Sequence, residues 1–400
     1  MICIINYVCQ KVEQRDWGLT FARQALGTHP LGAAIDARWA ELSPPYAPPA
    51  IAGWTPVKND GQTLVCGNTQ FALDPATGAF TTLSTVGASG VRVAWASPLA
   101  PLGWLEYQQH STAQYYDFFA EYGQDCCPYP PWFPKDFGKP GAYNTSMMAH
   151  NSSTPVTVTG AWANLTANGD EACQVVVRST LPTDLQQTYL HIPSVTLITL
   201  ITLLRYGAFS EAYTSLRVSD GGEPGTAVQV HVEILLLNKT ATRLPESVWY
   251  RFRPPPGPAS YRTADKLSLK VSGNRNSTNS IYTSSHNWTA NAGKWHVEKL
   301  AEEVDTLDVC VNGSRHLHGV DHGVWFERPD GHILQLLTED AAVVSFGPAS
   351  PFPTPTSLPQ ASDGASFCLA NNVWGTNYVM WYPFVPAEAD LKFRFKLVLK

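Results

Sequence analysis

The densest run of residues able to do chemistry is Val311-Asn-Gly-Ser-Arg-His-Leu-His-Gly-Val-Asp-His-Gly323. On a strand, side chains alternate with period two, so a strand over 315–320 predicts His316 and His318 on one face. Asp321 or His322 would then complete three donors of the kind that hold zinc. No H-E-x-x-H motif or cysteine partner accompanies them, which favours a hydrogen-bonded polar cluster lining a groove, with Arg315 and Asp321 orienting the rings or holding a polar ligand.

Three further segments place polar groups beside glycines, prolines or aromatics. Asp136-Phe-Gly-Lys-Pro-Gly141 leaves Asp136 and Lys139 on an exposed loop, and it lacks the GK[ST] context of a phosphate cradle. In Lys239-Thr-Ala-Thr-Arg-Leu-Pro-Glu246 the expectation is a crossover with an Arg243–Glu246 ion pair, or else a polar wall for a sugar. Asn371-Asn-Val-Trp-Gly-Thr-Asn377 sets Asn372 beside Trp374, and amides beside a flat ring suit sugar hydroxyls and C–H faces; aromatic core packing competes equally. Glycoside hydrolysis needs two carboxylates across one cleft, roughly 5 to 9 Å apart. Glu106, Asp117, Asp136, Glu246, Asp321 and Glu327 are available, and spacing selects no pair among them. G-x-S-x-G and G-x-G-x-x-G are both missing, so acyl and hydride transfer lack support.

The elements that must position these residues read as mostly β. Val12, Leu19, Ala22 and Leu26 fall near helical spacing up to Gly27, and a second helix starts near Pro30. This predicts a helical hairpin, broken by Ser43-Pro-Pro-Tyr-Ala-Pro-Pro49. The division is therefore 1–52, a hairpin with a Pro-rich linker, and 53–400, a large β region. Phe71 to Phe80 predicts two strands around a D-P-x-T-G turn, and further strands are expected at 174–178, 228–237, 248–252, 332–337 and 392–398. Ser111 is placed to cap a helix reaching Tyr122.

Composition agrees with a turn-rich globular chain of 400 residues: 15% are charged and Gly plus Pro total 60. A net charge of −6 without a basic stripe argues against nucleic acid. Residues 192–204 are apolar but number only 13, short of the ~20 that cross a bilayer, so no membrane span is expected. Sequons at Asn144, Asn151, Asn164, Asn238, Asn276, Asn287 and Asn312 exceed the roughly two or three expected by chance and point to the secretory route. Met1-Ile-Cys-Ile-Ile-Asn is not a signal peptide, and the expectation is that the true N-terminus lies upstream. Eight cysteines leave the disulfide pattern open, with adjacent Cys126 and Cys127 not expected to pair with each other.

Leu105-Glu-Tyr-Gln108, Tyr115-Tyr-Asp-x-Phe119, Asp136-Phe-Gly-Lys-Pro-Gly141, Lys239 to Glu246, Arg315-His-Leu-His318 and Asn371 to Asn377 together resemble a domain-of-unknown-function family similar to glycoside hydrolase family 38, the α-mannosidases. The resemblance runs in order from about residue 13 to the C-terminus. It implies the last part of a helical bundle followed by a large antiparallel β-sandwich of the galactose-mutarotase-like kind. In such enzymes the zinc and the carboxylate nucleophile belong to an N-terminal barrel, so the resemblance implies a catalytic domain elsewhere in the full-length protein and no cofactor held by this chain. It also implies a carbohydrate partner, mannosides first. The apolar stretch around 188–204 departs from the expected shorter connection and suggests translated intron. A transcript without those codons would support that reading. The expected sugar-facing residues are Arg315, His316, His318, Asp321, Asn372 and Trp374, with Asp136 and Lys139 further out. The alternatives are a non-catalytic binding or structural sandwich and a self-contained metal enzyme. Convergence of His316, His318 and Asn372 favours a site; dispersal favours a scaffold.

Overall fold

The computed structural model describes residues 21–42, 46–58, 61–111, 113–114, 152–165, 173–180, 209–219, 223–240, 246–255, 294–299, 302–305, 316–320, 322–328, 330–352, 364–372 and 389–400. Helical residues 21–26 (α1) end at Gly27, whose φ of 51° is open to glycine at little cost. Helix α2 (Pro30–Leu42) starts with Pro30, and His29 Nδ1 accepts the Leu31 amide at 3.1 Å as a cap. Arg23 donates from Nε to Asp36 Oδ1 at 2.6 Å and ties the two helices into the predicted hairpin.

All strand pairs among the described residues are antiparallel. Sheet I runs, in spatial order, β1 (Thr55–Pro56), β8 (Thr157–Asn164), β9 (Cys173–Thr180), β10 (Glu211–Ser219), β11 (Val228–Leu237), β20 (Leu391–Leu399), β17 (Ile333–Thr338), β16 (Gly323–Glu327), β13 (Lys294–Lys299) and β14 (Glu302–Asp305). Sheet II runs β15 (Leu317–Gly319), β18 (Val343–Phe346), β19 (Ala365–Asn371), β12 (Glu246–Phe252), β6 (Leu102–Gln109), β4 (Phe80–Val86), β3 (Thr69–Leu73) and β2 (Leu64–Cys66), with β5 (Arg92–Ala96) on β4 and β7 (Ser152–Pro155) on β6. The two sheets form the mainly β sandwich that the resemblance implies, preceded by the helical hairpin that the periodicity predicts.

Alternation explains how they pack. Along β11, Val228, Val230, Val232 and Ile234 are buried while Gln229, His231 and Glu233 are half-buried on the other face. The buried set joins residues of sheet II in one core, whose centre is an aromatic contact across the sheets. The Phe395 ring of β20 lies 5.3 Å from Tyr250 and 5.2 Å from Phe367, centroid to centroid. A disulfide between Cys66 and Cys173 joins β2 to β9, one sheet to the other.

The turn predicted at 74–78 forms as its residue types require. Asp74 Oδ1 accepts the Ala76 amide at 2.9 Å, Oδ2 accepts the Thr77 hydroxyl at 2.8 Å, and Gly78 takes a φ of 76°. At the other predicted cap, Ser111 Oγ accepts the Gln114 amide at 3.3 Å while Gln114 Oε1 accepts the Ser111 amide at 2.9 Å, a reciprocal capping box. No helix among the described residues is long and apolar enough to cross a membrane.

Candidate functional site

The outward face of sheet I carries a groove of about 420 Å³. Register decides what lines it. Val176, Ser215, Glu233 and Arg394 pair in one row across β9, β10, β11 and β20, and Gln174, Arg217, His231 and Lys396 pair in the next. Neighbours of opposite parity, such as Val232, Leu216 and Phe395, turn into the core. Segment 49–54 crosses this face, where the Trp54 amide donates to Ile51 O at 3.1 Å. Trp54 and Ile51 cover Val176, Tyr213, Leu235 and Leu237, which leaves an indole beside polar side chains at the groove wall.

The carboxylates here already have cations. Lys392 Nζ lies 2.5 Å from Glu233 Oε2. Arg394 binds Asp340 bidentately, at 2.9 Å from Nε and 2.8 Å from Nη2, and lies 3.0 Å from Glu339. The bonds to Asp340, more than its charge, hold the Arg394 guanidinium above its ordinary pKa. Arg217 is exposed and makes no ion pair among the described residues. Burial, then the charges of Lys396 and Arg217, push His231 below the ordinary imidazole value, with Glu339 opposing them. An indole face with amide, hydroxyl and charged groups around it suits a polyhydroxylated ligand.

A second polar layer lies on the face of sheet II turned away from the core. Glu106 of β6 accepts from Arg251 Nη1 at 2.5 Å, from Gln108 Nε2 at 3.2 Å and from the Ser153 hydroxyl. Burial raises its pKa, but Arg251 and these bonds outweigh it and hold the carboxyl below its usual range. Arg251 also stacks over Trp104, its guanidinium carbon 5.1 Å from the ring centroid. From Gln108 the chain of bonds continues to Ser247 Oγ at 3.3 Å, which receives Trp249 Nε1 at 2.7 Å and meets His110 Nε2 at 2.8 Å. The His110 ring is pushed down to about 4 by burial, which the Gln114 side chain only partly offsets; among the described residues no bond to Nδ1 has hydrogen-bond geometry.

The inward face of the same sheet holds an ion pair. Lys239 Nζ bonds Glu246 Oε1, both side chains 2% exposed, and Tyr107 donates its hydroxyl to Glu246 Oε2 at 2.5 Å. Lys239 is thus a partner of Glu246, where the sequence suggested Arg243, a residue outside those described. Glu106 pairs with Trp249 in the ladder, three positions from Glu246, so the two carboxylates point to opposite faces.

His316 and His318 share a face, as their spacing predicts. The ladder sets His318 opposite Val344 and Val344 opposite Phe367, on the side turned toward sheet I. Both are buried: Phe346 O lies 2.7 Å from His316 Nδ1, and the His318 ring meets Phe346 edge-on at 5.4 Å. Asn372 is buried at the far end of β19, its amide bonded to Glu246 O at 2.8 Å. Phe346, which bonds His316, pairs with Ala365, so Asn372 lies seven residues along β19, roughly 23 Å away. The fold does not bring the histidines and Asn372 together. Exposed His322 gives its carbonyl to the Thr338 amide at 2.7 Å. Arg315, Asp321, Trp374, Asp136 and Lys139 lie outside the described residues, as does 188–204. Among the described residues no three His, Cys, Asp or Glu side chains group to hold a metal.

Trp54, Arg217 and His231 were not singled out from the sequence. The signal was present in the alternation Val-Gln-Val-His-Val-Glu over 228–233 and Lys-Phe-Arg-Phe-Lys over 392–396, which marks a polar face. Which strands lie side by side is not written in either segment.

The class is thus an antiparallel two-sheet sandwich with a polar groove on one outer face. Residues 8–201 match a family described as a domain of unknown function (DUF5054). No curated protein matches the chain. Among solved structures, an alpha-mannosidase from Enterococcus faecalis V583 is similar at 8% identity with a TM-score of 0.39, over 86% of this chain and 29% of that one. A putative aldose 1-epimerase from Escherichia coli K12 is similar at 10% identity with a TM-score of 0.31, over 87% of this chain and 99% of that one. A GalM/aldose epimerase homologue from C. elegans is similar at 8% identity with a TM-score of 0.26, over 87% and 98%. This chain therefore spans under a third of the length of the α-mannosidase it resembles.

Proposed function

We propose that the chain is the carbohydrate-associated sandwich part of a family 38-like glycoside hydrolase, and that it holds saccharide without cleaving it. The groove carries this reading: Trp54 offers a flat apolar face, while Gln174, Ser215 and Arg217 offer donors and acceptors that no protein group occupies among the described residues. Of the six carboxylates the sequence offered for acid–base work, Glu106 and Glu246 have described side chains. Their opposite faces and their cation partners speak against a shared cleft. The sugar-facing role first expected of Arg315, His316, His318, Asp321, Asn372, Trp374, Asp136 and Lys139 passes in this reading to the groove on sheet I. Hydrolysis, with its zinc, would be the work of the N-terminal domain that the resemblance implies. The Cys66–Cys173 bond and the exposed sequons at Asn164 and Asn238 support a secretory or extracellular setting.

The test is titration of the purified chain with α-mannobiose, followed by Trp fluorescence, alongside hydrolysis of aryl α-mannoside. Binding that weakens about tenfold in Trp54→Ala, with no turnover, is the expected result. Turnover by the chain alone would overturn the non-catalytic reading. Absence of binding to mannobiose and to a panel of glycans would leave a structural scaffold, a reading that the separation of His316 from Asn372 also favours.

A further inference from the structure

The row Gln174, Arg217, His231, Lys396 differs from its neighbour. Like charges directly opposite one another on a sheet destabilise it, and pairs of opposite sign stabilise it. In the adjoining row Glu233 stands between Ser215 and Arg394 and pairs with Lys392. In this one, Arg217 of β10 stands directly opposite His231 of β11, and His231 stands directly opposite Lys396 of β20. Neither Arg217 nor Lys396 makes an ion pair among the described residues, although the chain carries a net charge of −6. Among the described residues the acids near His231 are Glu233, taken by Lys392, and Glu339, taken by Arg394. Arg217 and Lys396 lie two strand spacings apart, about 10 Å, with the imidazole between them. The groove with Trp54 opens beside Arg217 and His231, and Lys396 continues the row beyond its lining.

We propose that this row recognises an anionic oxygen group carried on a sugar, a carboxylate or a sulfate ester, so that the groove takes acidic saccharides. The proposal deepens the saccharide-holding reading of the same groove and rests on it. Arg217 supplies a planar pair of donors for the anion, Lys396 supplies a point charge, and His231 donates from one ring nitrogen. Burial first, and then the charges of Lys396 and Arg217, push His231 below its ordinary pKa, and an anion between them offsets the second of these causes.

Three probes separate the claims: methyl β-glucuronide, methyl β-glucoside and inorganic sulfate, each titrated into the intact chain and into Arg217→Gln. Arg217 is exposed, so the variant should keep its thermal midpoint; Lys396→Gln serves as the second variant. The glucuronide is expected to bind at least about tenfold tighter than the glucoside, to lose that advantage in Arg217→Gln, and to raise the His231 pKa followed by NMR. Equal binding of glucuronide and glucoside would overturn the anion row and leave the saccharide reading intact. Sulfate binding as tightly as glucuronide, with no glucoside binding, would overturn the role of the sugar. Binding of none of the three would overturn the proposal, and mannobiose titration then decides the broader reading separately.

Discussion

His110 lies just past the end of β6, its ring edge-on to Phe352 at 5.3 Å and its Nε2 held by Ser247. An imidazole kept at about 4 when folded and near 6.5 when unfolded binds fewer protons in the native state between those values. Stability attributable to it is therefore full above about 6.5 and is lost as pH falls toward 4, by an amount on the order of 3 kcal/mol. Urea unfolding at pH 7, 5.5 and 4 should show that loss, and His110→Gln should flatten it. At this scale the sequence was legible wherever a residue acts on its own neighbours. Asp74 and Gly78 make the turn their types demand, and Ser111 finds Gln114 three residues on. It was not legible where the partner is remote: His110 meets Ser247 across 137 positions, and Arg251 meets Glu106 across 145.

Between elements, alternation predicted strands well where one face is apolar, as over 228–237 and 392–398. Short strands such as β5 and β7 carry too few residues for a period to register, and they exist because a neighbour supplies their hydrogen bonds. Glycine marks one of the tightest junctions between strands. Gly364 enters β19 with a φ of 88°, and a Cβ there would sit 2.0 Å from the carbonyl oxygen of Phe252 on β12. Gly364→Ala should therefore push β19 off β12 and cost well over ~1 kcal/mol. Chemical denaturation measures the cost, and a variant as stable as the parent would contradict the close approach. The shared face of His316 and His318 was readable from spacing. That this face turns inward depends on β18 and β19, which the local sequence does not name.

For the whole molecule, the mainly β class follows from turn signals and alternation and the sandwich was implied by the family resemblance, while the order of strands within each sheet follows from neither. The Cys66–Cys173 pair illustrates the gap: eight cysteines gave no connectivity, and the bond spans 107 positions and both sheets. A loop of that length constrains the unfolded chain strongly, so a Cys66→Ala, Cys173→Ala double variant should lose about 2–5 kcal/mol. Calorimetry or denaturant melts of parent and variant under non-reducing conditions measure the difference.

That bond also changes what counts as a cut. Residues 66 to 173 form a closed covalent ring with the rest of the chain hanging from it as two tails, so one peptide-bond scission inside the ring opens a circle and parts nothing. A nicked molecule would migrate as one species on a non-reducing gel and as two once the thiols are freed. Scission outside the ring leaves two pieces that this bond does not join. The ring turns 107 positions of backbone into territory where a first cut leaves both pieces attached.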